Sequence, residues 1–270
     1  MHTTVEASGK GILNQQESMR KFSLTRHSPS PDLDWLIKRF WVVKWDLRGQ
    51  QPFEQVVLSH PNVNMVFEKD LTRIYGITKT SDIRIIKNAG QVLGVKFKPG
   101  GFYPFWKKDI SGLTGRSVSF REAFGEDVGA LEADILAQED ENKMVELAER
   151  FFRERLPERD ENVEEVNRIV VAIERDRDIT KVDDLASRFG INKRTLQRLF
   201  GRYVGISPKW VIQRYRLHEA AEKLERGEVS DWPQLSLDLG YYDQAHFIKD
   251  FKAIIGRSPE DYIRRIGVQT

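Results

Sequence analysis

An internal repeat in the last third of the chain constrains its fold more than any other feature. The segment 185–190 aligns with the segment 235–240, Phe200 with Phe251, and the pair Ser207-Pro208 with the pair Ser258-Pro259. The offset between the copies is 50 residues up to the first aligned glycine and 51 residues after it, so the second copy has one extra residue in its turn. Self-similarity of this kind indicates two structural units of the same type.

Each copy has the sequence of a helix, a tight turn and a second helix. The first helix is expected to end at Gly190, because glycine readily takes the left-handed conformation that closes a helix. Asn192 and its counterpart Asp243 can cap the second helices by accepting hydrogen bonds from free backbone N–H groups. We predict these second helices at about 193–203 and 244–254, followed by a third helix that starts at each Ser-Pro pair. This order predicts a pair of helix-turn-helix units.

The second helix of the first copy has one apolar and one polar face. Its apolar side chains recur at helical spacing and are expected to be buried; they are Leu196, Leu199, Phe200 and Tyr203. The opposite face carries Arg194, Gln197, Arg198 and Arg202. Arginine suits contacts with guanine and glutamine suits adenine, so this face can read base edges in a major groove. The competing interpretation is a helical bundle whose surface is incidentally basic.

The second copy presents a more weakly polar face. Its exposed positions are expected to be Gln244, Ala245, His246 and Lys249, with Asp250 at the side of this face rather than against DNA. The helix between the two units, from about 208 to 225, is predicted to be about 27 Å long. A rod of that length could hold two such faces roughly one DNA turn apart, about 34 Å.

The charge is unevenly distributed along the chain. The 270 residues contain 43 Lys and Arg against 41 Asp and Glu, for a net charge of only +2. Residues 1–119 carry 18 basic and 10 acidic side chains, whereas residues 120–160 carry 6 and 13. The stretch 185–218 has eight Arg and Lys and no acid. Such a run is usually a solvated helix face, but here its helical spacing favours contact with DNA.

These motifs resemble the AraC/XylS family of bacterial transcription regulators, over residues 163–266. The resemblance implies a DNA-binding domain at 161–270, all α-helical, with two helix-turn-helix units joined by a long helix. By the family pattern the base-reading positions are Arg194, Gln197, Arg198, Gln244, Ala245, His246 and Lys249. Phosphate contacts are expected from Lys193, Thr195, Arg202 and Lys209. One departure is Ser236, where the family usually has alanine; we expect it to adapt packing without altering DNA reading.

The N-terminal half has a different pattern. After a predicted flexible tail at 1–20, residues 21–119 contain short runs rich in branched and aromatic side chains, separated by turn residues at hairpin-like intervals. This pattern predicts a small antiparallel β-barrel or sandwich, which makes the whole chain α+β. The region resembles the cupin-like sensor half of the same family. Residues 98–106 look like a motif of its poorly characterised barrel subgroup.

A ligand pocket in this half is one hypothesis. Its candidate lining residues are Trp41, Phe67, Phe97 and Trp106, and the alternative is that these aromatic side chains fill the core. The excess of basic residues would suit an acidic ligand, an acidic surface of a partner, or a supporting role near DNA.

Residues 120–160 are expected to form an acidic helical connector. Val145, Ala148, Phe151 and Phe152 fall near one face of a predicted helix, so this face must be buried. In the family such helices often form the dimer contact, and the alternative is packing on their own barrel. The chain is therefore expected to be a monomer or a homodimer.

Several classes of function are disfavoured. The sequence has no cysteine, which excludes disulfides, thiolate metal sites and a cysteine nucleophile, and its five histidines are scattered. We expect no cofactor, no metal and no enzymatic activity. The sequence shows neither a signal peptide nor an apolar run long enough to span a membrane, so we expect a cytoplasmic protein. The expected partners are double-stranded DNA, a small-molecule effector, and RNA polymerase if the protein activates transcription. The main rival is an effector-independent DNA-binding protein whose N-terminal domain serves only dimerisation or partner binding.

Overall fold

A computed structural model describes residue 18, residues 20–229 and residues 232–266. The predicted flexible tail therefore lies largely outside the described residues. The N-terminal half is built from eight strands: β1 (Phe22–His27), β2 (Ile37–Asp46), β3 (Phe53–Val57), β4 (Asn64–Phe67), β5 (Arg73–Tyr75), β6 (Asp82–Ile86), β7 (Ala89–Phe97) and β8 (Ser117–Ser119). Six of them form one sheet in the order β1-β2-β7-β4-β5-β8, and β3 pairs with β6 in a separate ribbon. All of these pairs are antiparallel.

The antiparallel, β-rich N-terminal half is confirmed, but the barrel is not closed. Among the described strands, β1 and β8 form the two edges of the larger sheet and neither pairs with the ribbon. The ribbon instead lies partly against the C-terminal half, since Val56 packs on a hydrophobic cluster formed by the last helices. At its other end, the ring of Phe53 lies 6.5 Å from that of Phe22 on β1.

A β-bulge in β2 determines which side chains occupy the two faces of the larger sheet. The register shifts between Ile37, which pairs with Phe97, and Arg39, which pairs with Lys96. Strict alternation would place Ile37 and Phe40 on opposite faces, yet both are fully buried in the core. The extra residue of the bulge resolves this conflict and leaves Lys38 and Arg39 together on the other face. We call that face, which carries Arg26, Arg39, Trp41, Gly94 and Lys96, the open face.

Four short helical segments and one long helix follow β7, with β8 between the second and third of the short segments. They are α1 (Tyr103–Trp106), a 3₁₀ turn (Ile110–Leu113), α2 (Phe120–Phe124), α3 (Gly129–Leu136) and α4 (Glu141–Arg153). The apolar side of α4 packs on the core face of the sheet, where Val145, Ala148 and Phe152 are fully buried. The ring of Phe152 lies 5.6 Å from that of Phe97. The sheet of the same chain therefore covers this apolar face, which makes it unavailable as a dimer contact.

The C-terminal half is helical, as expected. It consists of α5 (Glu161–Arg175), α6 (Val182–Phe189), α7 (Lys193–Leu199), a π-helical turn (Phe200–Val204), α8 (Pro208–Glu225), α9 (Trp232–Asp238), α10 (Gln244–Ile255) and α11 (Pro259–Ile266). The helix predicted at 193–203 thus changes to a wider turn at Phe200, whose carbonyl accepts from Gly205 N–H at 2.8 Å. One hydrophobic cluster joins α5 to the first helix-turn-helix unit, and a second cluster joins α8 to α10 and α11.

Candidate nucleic-acid interface

The two helix-turn-helix units have matching local geometry. Gly190 and Gly240 end α6 and α9 with φ angles of 63° and 77°. Asn192 Oδ1 accepts from Thr195 N–H at 2.9 Å at the start of α7, and Asp243 Oδ1 accepts from His246 N–H at 2.7 Å at the start of α10. These cap bonds satisfy backbone donors that the first helical turn leaves free. The repeated caps therefore set the start of both second helices.

The polar face of α7 is directed to solvent. Arg194, Gln197 and Arg198 are exposed, whereas Leu196 and the following Phe200 are fully buried. Within the described part of the chain, the side chains of Arg194, Gln197 and Arg198 make no hydrogen bond or ion pair. Three unengaged donor-rich groups on one helix face can reach base edges without first breaking an internal contact.

The corresponding face of α10 is also exposed, but it contains an acid. Gln244, Ala245, His246 and Lys249 are exposed. His246 Nε2 lies 3.5 Å from Asp250 Oδ2, and the same carboxylate oxygen accepts from Gln213 Nε2 of α8 at 3.1 Å. Asp250 therefore lies at the side of the α10 face that is turned toward α8.

A cleft of about 620 Å³ lies between the two second helices. Gln197 of α7, Lys209 and Gln213 of α8, and His246 and Asp250 of α10 all line it. The N-terminal half also contributes to its wall through Lys79, Ser111 and Thr114. The cleft is thus the concave surface on which the predicted base-reading helices converge.

The four predicted phosphate contacts differ in how they are engaged. Lys193 Nζ forms an ion pair with Asp183 Oδ1 at 2.6 Å, and Thr195 is partly exposed. Lys209 is exposed in the cleft and makes no ion pair with a described residue. Arg202 is exposed, but its Nε donates to the Tyr103 hydroxyl at 2.6 Å and its Nη2 donates to the same oxygen. Only Lys209 among them combines full exposure with the absence of a competing partner.

The basic run 185–218 divides into surface and buried charges. Arg214 and Arg216 of α8 are only 2 % and 3 % exposed. Arg216 donates to the carbonyl oxygens of Ile173 and Asp176, so it ties α8 to the end of α5. These two charges of the run therefore lie in the interior, where carbonyl groups of other elements hold them.

Contacts from the N-terminal half hold the first unit, and sequence reasoning did not identify the residues that make them. Thr114 Oγ1 donates to Gly205 O at the turn before α8. The rings of Tyr103 and Tyr203 lie 4.2 Å apart. The Tyr203 hydroxyl donates to Asp160 Oδ2 at 2.8 Å, and burial together with this bond raises the pKa of Tyr203 to about 12. The only signal in the sequence was the motif at 98–106, which contains Tyr103.

Three of the four candidate pocket residues share one hydrophobic core, and the fourth, Trp41, lies apart from them. Phe67 and Phe97 are fully buried in the core of the N-terminal half. Trp41 lies on the open face, because it alternates with the buried Phe40 and Val42 along β2. Trp106 is partly exposed and packs at the edge of the core, with Lys108 Nζ 4.7 Å from the centre of its ring. The period of two along β2 therefore places Trp41 on the face of the sheet opposite to the core.

Metal sites and membrane-spanning helices are the other two features considered for the described residues. These residues contain no group of three or more His, Cys, Asp and Glu side chains arranged to hold a metal ion. None of the helices that the structure describes combines the length and apolar composition needed to cross a bilayer.

Two family models match the chain, one in each half. Residues 25–119 match a domain of unknown function, DUF6597, and residues 185–265 match a helix-turn-helix domain. The first match covers the strands and the motif at 98–106, whereas the second covers both helix-turn-helix units.

The chain is similar to curated proteins over about a third of its length. It is 37 % identical over 83 residues to the HTH-type transcriptional activator AarP of Providencia stuartii, which is 30 % of this chain and 59 % of that protein. It is 29 % identical over 87 residues to an uncharacterized HTH-type transcriptional regulator of Haemophilus influenzae, which is 32 % of this chain and 29 % of that protein. The match thus spans less than two thirds of the length of either relative.

A solved structure is also similar to about a third of the chain. It is a probable AraC family transcriptional regulator from Rhodopseudomonas palustris, with 24 % identity and a TM-score of 0.32 over 36 % of this chain and 93 % of that one.

Proposed function

We propose that this chain, whose C-terminal third has the helix-turn-helix domain of AraC family regulators, is a sequence-specific regulator of transcription that reads two successive major grooves. The observation that carries this proposal is the exposed, unengaged group of Arg194, Gln197 and Arg198 on α7. Helix α8 has 18 residues, so it is about 27 Å long and suits two reading helices on one face of a duplex.

In this proposal, the side chains divide between base reading and positioning. Arg194, Gln197 and Arg198 read one groove, and Gln244, Ala245, His246 and Lys249 read the next. Lys209 is the best-placed phosphate contact, because it is exposed in the cleft between the two helices. Phosphate contacts supply affinity and register, whereas base contacts supply discrimination. Asp250 would repel a nearby phosphate, so the second helix is expected to contribute less affinity than the first.

The experiment is a comparison of Arg198→Ala with wild type on a duplex selected from a random library. We expect Arg198→Ala to lose about 1–3 kcal/mol on the selected site and little on a random duplex. Arg150→Ala is a matched control, since Arg150 is an exposed residue of α4 in the N-terminal half and should leave both affinities unchanged. Equal weakening on both duplexes would make Arg198 a phosphate contact only. A binding constant insensitive to salt would refute the DNA proposal altogether.

Regulation by a small molecule at the N-terminal half is a further part of the proposal. It is supported by contacts of this half with both helix-turn-helix units: Thr114 contacts Gly205 of the first, and Val56 packs on the hydrophobic cluster of the second. A ligand that favours one arrangement of the N-terminal half would change how the two units are presented to DNA. Protomer pairing and contact with RNA polymerase, if the protein activates transcription, would respond to the same change.

One observation favours the alternative, an effector-independent DNA-binding protein. Phe67 and Phe97, two of the four candidate pocket residues, are fully buried core side chains and cannot line a cavity. The two functions predict different responses: an effector-independent protein binds its selected duplex equally well with and without any small molecule. A screen that measures duplex affinity of the full chain in the presence of metabolite pools distinguishes them.

A further inference from the structure

The open face of the six-stranded sheet carries an unusual concentration of positive charge. Arg39 on β2 is directly opposite Lys96 on β7. Arg26 on β1 pairs with Trp41, which is two residues from Arg39, so Arg26 and Arg39 are diagonal neighbours. Like charges directly opposite each other destabilise a sheet. The bulge at Lys38 increases the concentration, because it directs Lys38 to the same face.

The long helix α8 adds a buried cation from the C-terminal half. Arg214 is 2 % exposed, and its Nε donates to the Ser59 carbonyl oxygen at 2.8 Å. Its Nη2 lies 3.1 Å from His60 Nε2. A guanidinium can only donate, so this nitrogen of His60 must be unprotonated and accept. Burial, and next the charge of Arg214, lower the pKa of His60 well below its usual value, which agrees with a neutral ring.

Glu174 of α5 is the described carboxylate that lies near Lys38 and Arg39. Lys38 Nζ lies 3.7 Å from Glu174 Oε2 of α5, which is a long ion pair. Arg39 and Lys96 form no ion pair with any carboxylate that the structure describes. Burial, followed by the charges of Arg39 and Lys38, holds the pKa of Lys96 well below its usual value. A charge removed from water without a partner costs free energy, and among the described residues Arg39 and Lys96 have no balancing carboxylate in contact with them.

Aromatic surface adjoins the cations on the same face. The ring of Trp41 lies flat on β7 at Gly94, where an added Cβ would be 1.8 Å from Trp41 Cε2. Trp45 covers Gly90 in the same way, with 2.7 Å to its nearest ring atom. Both indoles remain partly exposed. Gly94 precedes Lys96 by two residues, so one indole lies beside the unpaired ammonium group.

We propose that the open face binds a small organic anion, with its acidic group at Arg39 and Lys96 and its apolar or aromatic body on Trp41. The anion would supply the negative charge that the described residues lack, and the indole would cover its body. The inference deepens the proposed regulation, on which it rests, by naming the class of small molecule. Arg214 belongs to the same charge cluster and to α8, so a bound anion acts directly on the helix that joins the two helix-turn-helix units.

The test is scanning calorimetry of the full chain without DNA, using phenylacetate and its neutral isostere phenylacetamide as probes. At about 10 mM and constant ionic strength, phenylacetate should raise the Tm by about 2–4 °C, and phenylacetamide should not. Lys96→Met should lose most of that rise, and without a probe its Tm should equal or exceed that of wild type, because an unpaired buried cation is removed. Lys69→Met is the matched control, since Lys69 is an exposed residue of the turn after β4 and its variant should keep the full rise.

Four results would overturn the proposal. They are equal shifts from both probes, an undiminished rise in Lys96→Met, a lower Tm of probe-free Lys96→Met, or a rise with inorganic phosphate but none with phenylacetate. Arg39→Gln, measured in the same way, is a second test and should also lose most of the rise. The calorimetry contains no DNA, so its failure leaves DNA reading intact. Conversely, a failure of selected-site binding leaves the calorimetric shift unaffected.

Discussion

The turn at Gly205 provides a direct measure of how firmly the N-terminal half holds the first helix-turn-helix unit. Gly205 has a φ of 89°, and its N–H closes the π-helical turn on Phe200 O. A Cβ at this position would lie 2.8 Å from the carbonyl oxygen of Ile110 and 2.9 Å from its carbonyl carbon. Thr114 donates to the Gly205 carbonyl, so the segment at Ile110 cannot move away without disturbing that bond. Gly205→Ala should therefore be costly for two separate reasons.

A matched variant separates the two contributions. Gly190 has a φ of 63° and no atom within 4 Å of an added Cβ, so Gly190→Ala measures the backbone strain alone. That strain is about 1–2 kcal/mol for a residue with a side chain. At position 205 the overlap with Ile110 adds about 1–3 kcal/mol, the usual cost of forcing extra atoms into a packed site. We expect Gly205→Ala to lose about 2–5 kcal/mol and Gly190→Ala about 1–2 kcal/mol.

Thermal unfolding of the full-length variants, followed by circular dichroism, gives the comparison. For a chain of this size about 1 kcal/mol corresponds to roughly 2–4 °C in Tm. The Tm loss of Gly205→Ala should thus be about 1.5 to 4 times that of Gly190→Ala. Equal losses of Tm would mean that the segment at Ile110 moves aside at no cost. The inference of a firm contact between the two halves would then be wrong.

Two further variants test the caps and the buried phenol. Asn192→Ala removes the oxygen that accepts from Thr195 N–H and should lower the free energy of unfolding in urea by about 1 kcal/mol, whereas Asn192→Asp keeps an acceptor and should not. In the folded state the pKa of Tyr203 is raised to about 12. The protonated phenol therefore contributes its full share to the free energy of unfolding below about pH 10, and this share disappears as the pH approaches 12. The stability advantage of wild type over Tyr203→Phe should therefore shrink by about 2 kcal/mol between about pH 9 and about pH 11.5, and a constant difference across that range would contradict the assigned pKa.

Short-range patterns explain why so much of the C-terminal half is predictable. The caps at Asn192 and Asp243 act on backbone groups three residues away, and the glycine at 190 ends the helix that immediately precedes it. Apolar spacing along α7 places Leu196 and Phe200 inside without reference to any distant partner. Interactions this local act in the same way wherever the rest of the chain lies, so sequence alone predicts both units and the exposed face of α7.

The distribution of burial among the charged and aromatic residues depends on distant partners. Arg214 is buried because its donors meet the carbonyl of Ser59, which is 155 residues away in the chain. Asp250 lies in the cleft because Gln213 of another helix binds it there. In β2 the extra residue of a bulge moves Lys38 to the open face. Neither the composition nor the alternation of apolar residues predicts this register shift of one residue. The sequence by itself thus determined the two helix-turn-helix units and their polar faces. Only tertiary contact decided which cations remain on the surface and which gather on the open face. The reason is that burial and register depend on groups that folding brings together from distant parts of the chain.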